Sequence, residues 1–132
     1  METEKIIKNL RLDKCKRILV VNAPAEFKKA LEGHSYDEQP IKEKDGSYDF
    51  VQLFAKTQAE LEKLVKEAEH VGKYDCLFWA CYPKKTGKIK SDIQRETVWT
   101  ALQLIGFDTV TAISIDETWS ALRARPIAAV GK

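Results

Sequence analysis

Short apolar runs alternate along this chain with segments whose apolar residues recur every three or four positions. The first run, Arg17-Ile18-Leu19-Val20-Val21-Asn22, is β-branched and lacks polar alternation, which predicts a strand covered on both faces. Ala23-Pro24 then opens a helix with Pro24 in its first turn, an apolar stripe of Phe27, Ala30 and Leu31, and Gly33 as its stop. Residues 34–47 are polar, contain Pro40 and Asp45-Gly46, and predict a loop with a short edge strand near Ile41. Tyr48 to Phe54 reads as the second strand. Thr57 and Glu60 form a capping box for a helix carrying Leu61, Leu64, Val65, Ala68 and Val71 at helical spacing, closed by Gly72. The most apolar run, Asp75 to Tyr82, is the expected central strand, and Pro83 stops it. Ser91 and Gln94 make a second capping box, followed by Ile93, Val98, Ala101, Leu102 and Ile105 as a buried face and Gly106 as a terminator. Thr109 to Ile115 and Thr118 to Arg125 are the last two strands. Only Asp116-Glu117 separates them, too little chain for a parallel crossover, so the last strand runs antiparallel.

The resulting order, β-α-β-α-β-α-β-β, predicts an α/β fold: a three-layer sandwich with a mainly parallel five-stranded sheet and helices on its faces. One domain is expected over residues 1–132, with a core at 17–125 between a charged N-terminal extension (1–16) and a tail (126–132). In the extension, Ile6, Ile7 and Leu10 offer at most a short amphipathic turn.

Composition narrows the functional classes. Hydrophobic residues are 44% and charged residues 32% of the chain, usual for a folded domain. No run approaches 18 apolar residues, which excludes a membrane span, and the acidic start lacks the features of a secretory leader, so the expected location is the cytoplasm. Cys76 and Cys81, five apart in one strand, fall on opposite faces and cannot bridge, and Cys15 stands alone. No ligand-spaced His/Cys cluster occurs, so neither a metal nor a cofactor is expected. The net charge of +2 is concentrated in Lys84, Lys85, Lys88, Lys90 and Arg95, set against Asp92 alone. That is a local patch and not the broad basic face of a nucleic-acid binder.

Three stretches resemble the motifs of a family of small bacterial proteins of unknown function: Asn22-Ala23-Pro24, Tyr82-Pro83-Lys84-Lys85, and Asp116-Glu117-Thr118-Trp119-Ser120-Ala121-Leu122-Arg123. The resemblance spans about Leu12 to Arg125 and implies no activity. A second resemblance concerns the fold. Tyr48-Asp49-Phe50-Val51, the helix ending in Gly72, the strand Asp75-Cys76-Leu77-Phe78-Trp79 and the closing pair are similar to a shortened methyltransferase-type Rossmann domain, which implies the sheet order 1-2-3-5-4. That fold's methyl-donor site needs a glycine-rich turn after its first strand, where this chain has Asn22-Ala23-Pro24-Ala25-Glu26. Residues 34–47 are also too short for its usual second and third strands. Active methyl transfer is therefore not expected.

Ligands of such sheets bind outside the carboxyl ends of the strands. The candidate ligand-binding residues there are Asn22, Lys84, Lys85, Asp116, Glu117 and Trp119, with Lys56 on the same edge. Lysines beside a helix N-terminus suit an anion, whereas Lys84 to Lys90 serve equally as a solvated loop with Asp92 as the helix cap. Asp116 and Glu117 fit acid–base chemistry if they converge, and a structural turn if they diverge. Trp79 is expected in the core, Trp99 at a boundary, and Arg123 and Arg125 at the opposite edge. His34 and His70 pair with no nucleophile. The leading expectation is a non-catalytic binding or regulatory module holding a small anionic ligand or an acidic partner segment. Two alternatives stand beside it: a small enzyme on a phosphorylated or carboxylated substrate, with Lys84 or Lys85 as charge stabiliser and Asp116 or Glu117 as base, and a structural interaction protein, for which a homodimer is compatible.

Overall fold

The computed structural model describes residues 3–85 and 87–130. Five strands, β1 (Ile18–Val21), β2 (Tyr48–Phe54), β3 (Gly72–Pro83), β4 (Phe107–Ser114) and β5 (Trp119–Pro126), form one sheet in the order β1-β2-β3-β5-β4. β1, β2 and β3 pair in parallel, and β5 runs antiparallel between β3 and β4. Four strands thus point one way and the last returns, as the short Asp116-Glu117 connection requires. The helices are α1 (Thr3–Leu10), α2 (Ala25–Ala30), α3 (Gln58–Glu67) and α4 (Arg95–Gln103).

Alternation along the strands divides the core in two. Leu19, Val51, Leu53, Phe78, Ala80, Leu122 and Ala124 pack with α3 and α4, while Ile18, Val20, Phe50, Phe54, Trp79, Cys81, Trp119 and Ala121 pack with α1 and α2. This is the expected three-layer arrangement. Cys76 joins the first layer and Cys81 the second. Among the described residues no helix is long and apolar enough to cross a membrane.

Several local expectations are corrected. Residues 3–10 form a helix rather than a short turn, and Ile6, Ile7 and Leu10 are buried with α2 and the sheet. The Trp79 indole N–H fixes the end of this helix by donating to the Leu10 carbonyl at 3.1 Å. Pro24 is the N-cap of α2 and does not lie inside it. The edge of β1 is bridged by Asp37, not by a strand near Ile41, which is exposed. Gly72 begins β3 instead of ending α3, and a side chain there would collide with Cys76 Sγ. The second capping box is shifted by three residues: Gln94 caps α4 reciprocally with Thr97, while Ser91 Oγ accepts from the Ile93 N–H. Asp92 instead accepts from the Gln58 N–H at 2.7 Å, on the first turn of α3. Of the tail expected at 126–132, residues 126–130 hold the end of β5 and a 3-10 turn, and 131–132 lie outside the described residues.

Candidate functional site

The carboxyl ends of β1, β2 and β3 and the β4–β5 turn lie along one edge of the molecule. Chain reversal at this edge decides what each candidate side chain is free to do. Asn22 leaves β1 with φ 61°, a left-handed conformation that glycine adopts freely and that asparagine tolerates better than most residues. The turn therefore keeps the backbone geometry of a glycine turn while carrying an exposed amide side chain.

Asn22 lines a cleft of about 550 Å³. One wall is apolar: Leu19 and Val21 of β1, Leu53 of β2, Leu64 of α3 and Ala68 at its C-cap. Glu60, Lys63, Leu64 and Glu67 follow the i, i+3, i+4, i+7 spacing of one helix face, which is why α3 presents all four to the same cleft. The opposite wall is Glu38-Gln39-Pro40. That loop is pinned from behind, because the Tyr48 hydroxyl donates to Asp37 Oδ2 at 2.6 Å and Lys44 pairs with the same oxygen at 2.9 Å. The Tyr48 hydrogen bond, followed by that of Lys44, holds the Asp37 carboxyl below its ordinary pKa. At the rim, Lys28 pairs with Glu38 at 3.2 Å, and Glu60 Oε1 accepts from the Lys56 N–H at 2.8 Å.

Asp116 and Glu117 line a different cleft, with Lys5, Asn9, Glu26 and Lys88. Asp116 Oδ1 accepts from the N–H groups of Thr118 and Trp119, both at 2.8 Å, so this carboxylate closes the β4–β5 turn. Lys84 is half-buried, and its Nζ donates to Ser114 Oγ at 2.6 Å while its backbone N–H donates to the Thr118 carbonyl. Gly87 packs close to the Lys84 and Glu117 carbonyls, which seats the lysine-rich loop on the same turn. Lys85 is exposed.

Trp119, at 2% exposure, packs edge-on to Phe54 with ring centroids 5.1 Å apart, inside the α1/α2 layer, and its side chain is not among the lining of either cleft. The six candidates therefore do not surround one pocket. Asn22 belongs to one cleft, Asp116 and Glu117 to another, and Lys84 and Trp119 hold the fold together. Among the described residues, no three His, Cys, Asp or Glu side chains gather where a metal ion could be held.

The wall contributed by α3 was not among the expected site residues, although the spacing of Glu60, Lys63, Leu64 and Glu67 marks it in the sequence. Arg11 and Asp75 are the other non-glycine residues with left-handed backbone among the described residues, at φ 64° and 58°. No sequence signal marks an arginine as left-handed.

Neither a protein-family model nor a curated protein matches the chain. Solved structures do match in fold. A SAM-dependent methyltransferase from Aquifex aeolicus superposes with a TM-score of 0.60 at 15% identity, covering 93% of this chain and 88% of that one. The magnesium protoporphyrin IX methyltransferase of Synechocystis PCC 6803, solved with bound SAH, gives 0.59 at 11% identity, with 92% and 80% covered. The cyclase SpnF gives 0.57 at 12% identity, with 93% and 79% covered. Methyltransferases and a cyclase share the architecture, so the fold alone does not select a reaction. The chain has the Rossmann-like fold of these methyltransferases.

Proposed function

We propose that this protein is a non-catalytic binding module that seats a small ligand in the cleft beside Asn22. The observation that carries this reading is the cleft itself: about 550 Å³ at the carboxyl end of β1, within the usual range for small-molecule sites. Its lining argues for binding rather than chemistry. Lys28 and Glu60 already have partners in the protein, and among the described residues no cysteine or histidine lines the cleft. The apolar wall, with lysines and glutamates together at the rim, suits a small zwitterion bearing an apolar arm better than a simple anion. The reading departs from the anion site sought around Lys84 and Lys85, because Lys84 is engaged by Ser114 and the α4 N-terminus is closed by Gln94 and Thr97.

Titration with methionine, S-adenosylhomocysteine and ADP, followed by amide NMR and calorimetry, tests the proposal. Saturable binding that shifts Asn22 and Leu64, and that Leu64→Trp abolishes by filling the cleft, is the expected result. Binding unaffected by Leu64→Trp would place the ligand elsewhere. Methyl transfer from S-adenosylmethionine to any acceptor would overturn the non-catalytic reading.

A further inference from the structure

The opposite end of the sheet gathers three guanidinium groups. The Leu10 carbonyl is bound to the Trp79 indole, so Arg11 begins directly beside Trp79. Trp79 is the cross-strand partner of Arg123, and both side chains lie on the α1 side of the sheet. Arg125, two residues further along β5, shares that face. It is held by Asp75 through two bonds, Nε to Oδ1 at 2.8 Å and Nη2 to Oδ2 at 2.7 Å.

The charges at this end do not balance. The Asp75 carboxylate is bonded to Arg125 and its charge also reaches Arg123, but among the described residues neither Arg11 nor Arg123 has a carboxylate within ion-pair distance. The Arg123 Nε–H is buried and has no acceptor among the described residues. Burial, then the charges of Arg11 and Arg125, lower the Arg123 pKa below its ordinary value, so the charged guanidinium is held there at a cost.

The backbone supplies an independent observation. Arg11 occupies the left-handed position just after α1, where glycine is the usual residue, and Asp75 is left-handed as well. Two of the three left-handed non-glycine residues in the described chain thus flank one arginine cluster. Such strain persists where surrounding structure imposes it, and it concentrates at ligand sites.

We propose that Arg11 and Arg123 form a binding site for a phosphate-class dianion, with the Arg125–Asp75 pair as its fixed floor. Two guanidinium groups with no ion-pair contact among the described residues, facing a single carboxylate already bonded to Arg125, match a doubly charged group, and each planar fork can give two parallel N–H···O bonds to tetrahedral oxygens. The site lies at the other end of the sheet from the cleft beside Asn22, and either can fail without the other.

The test is a titration with inorganic phosphate, and separately with glycerol phosphate, at constant ionic strength, observed through backbone amides and arginine Nε–H resonances. Saturable shifts at Arg11, Asp75 and the Arg123 Nε–H, with Asn22 and Lys84 unmoved, are expected. Arg123→Gln and Arg11→Gly should each weaken binding by about tenfold or more. Arg11→Gly should also raise the thermal midpoint, since it relieves the left-handed strain. Tighter binding of either probe tells whether free phosphate or a phosphate monoester is the natural source, and both results uphold the site. Equal affinity for acetate, shifts spread over surface lysines without saturation, or full binding retained in both variants would overturn it.

Discussion

The two ends of the sheet handle charge in opposite ways. At the carboxyl end the conspicuous charged residues each find a partner: Asp116 closes its own turn, while Lys84 rests on Ser114 and Asp92 accepts from the first turn of α3, both remote in sequence. At the amino end, Arg125 is bonded to the Asp75 carboxylate and Arg123 lies beside it with Arg11 next to Arg123, and Arg11 and Asp75 have left-handed backbone. Conspicuous charge in a sequence therefore does not mark where charge remains available. A short polar side chain in a turn finds backbone N–H groups within two or three residues. An arginine on a central strand is held by its register and takes whatever neighbours the tertiary fold provides.

The largest perturbation expected concerns the anchor of the amino end. Trp79→Ala removes a side chain at 1% exposure together with the bond to Leu10, and should cost about 3–5 kcal/mol in denaturant unfolding. Amide exchange in α1 should rise more than that in α4. Equal acceleration in both helices would show that Trp79 does not tie α1 in particular.

Next comes the absorbed charge at the carboxyl end. Asp116→Ala deletes an acceptor shared by two backbone N–H groups and should destabilise by about 1–2 kcal/mol, with the β4–β5 turn opening first. Glu117→Ala, at the exposed neighbour, should change stability little. A reversed ranking would break the assignment of Asp116 to the turn.

Arg11→Gly should act with the opposite sign, stabilising the protein by about 1 kcal/mol, because glycine takes φ 64° without the clash that arginine suffers. Loss of stability instead would mean that the arginine side chain contributes more to the fold than its strain removes.

Smaller effects follow from acid and from thiol reagents. The Asp75 carboxyl is held below its ordinary value of 3.8 first by hydrogen bonds from Arg125, and that of Asp49 by Lys73 and then the Arg17 N–H. Because the folded values are depressed, this stabilisation is complete above the ordinary value and is lost as pH falls through the folded ones. Thermal midpoints should therefore decline below about pH 4, and Asp75→Asn should flatten that decline. Burial, with Asp49 next, pushes the Cys15 thiol up to about 11, and burial with Asp75 next pushes Cys76 up to about 12. Both should react slowly with thiol reagents at pH 7.5, and rapid modification of Cys15 would show that residues 11–16 open readily.

Much of the sheet was legible in the sequence because parallel strands buried on both faces must be continuously apolar. Ile18 to Val21 satisfies that requirement, Tyr48 to Phe54 does so apart from Asp49 and the buried Gln52, and the brevity of Asp116-Glu117 forces the antiparallel return. The helix α1 was less legible. Ile6, Ile7 and Leu10 give a stripe without a cap, and the burial of that stripe depends on α2 and Trp79, which are remote in sequence. The α4 cap was ambiguous for a similar reason. Ser91 and Gln94 both have acceptors at the right spacing, and Asp92, which could also have served, is drawn to Gln58 in another helix.

The sequence by itself determined the α/β class, the placement of the strands and the direction of the last one, since these follow from local periodicity and connection length. It also placed Arg123 and Arg125 away from the carboxyl edge. Only the tertiary structure decided which of the candidate side chains remain free and which are consumed. It separated Asn22 from Asp116, buried Trp119, spent Lys84 on Ser114 and brought Arg11 to Arg123. The physical reason is range: periodicity and turn chemistry act over a few residues, whereas the partners that satisfy or strand a charge are supplied by segments far apart in the chain.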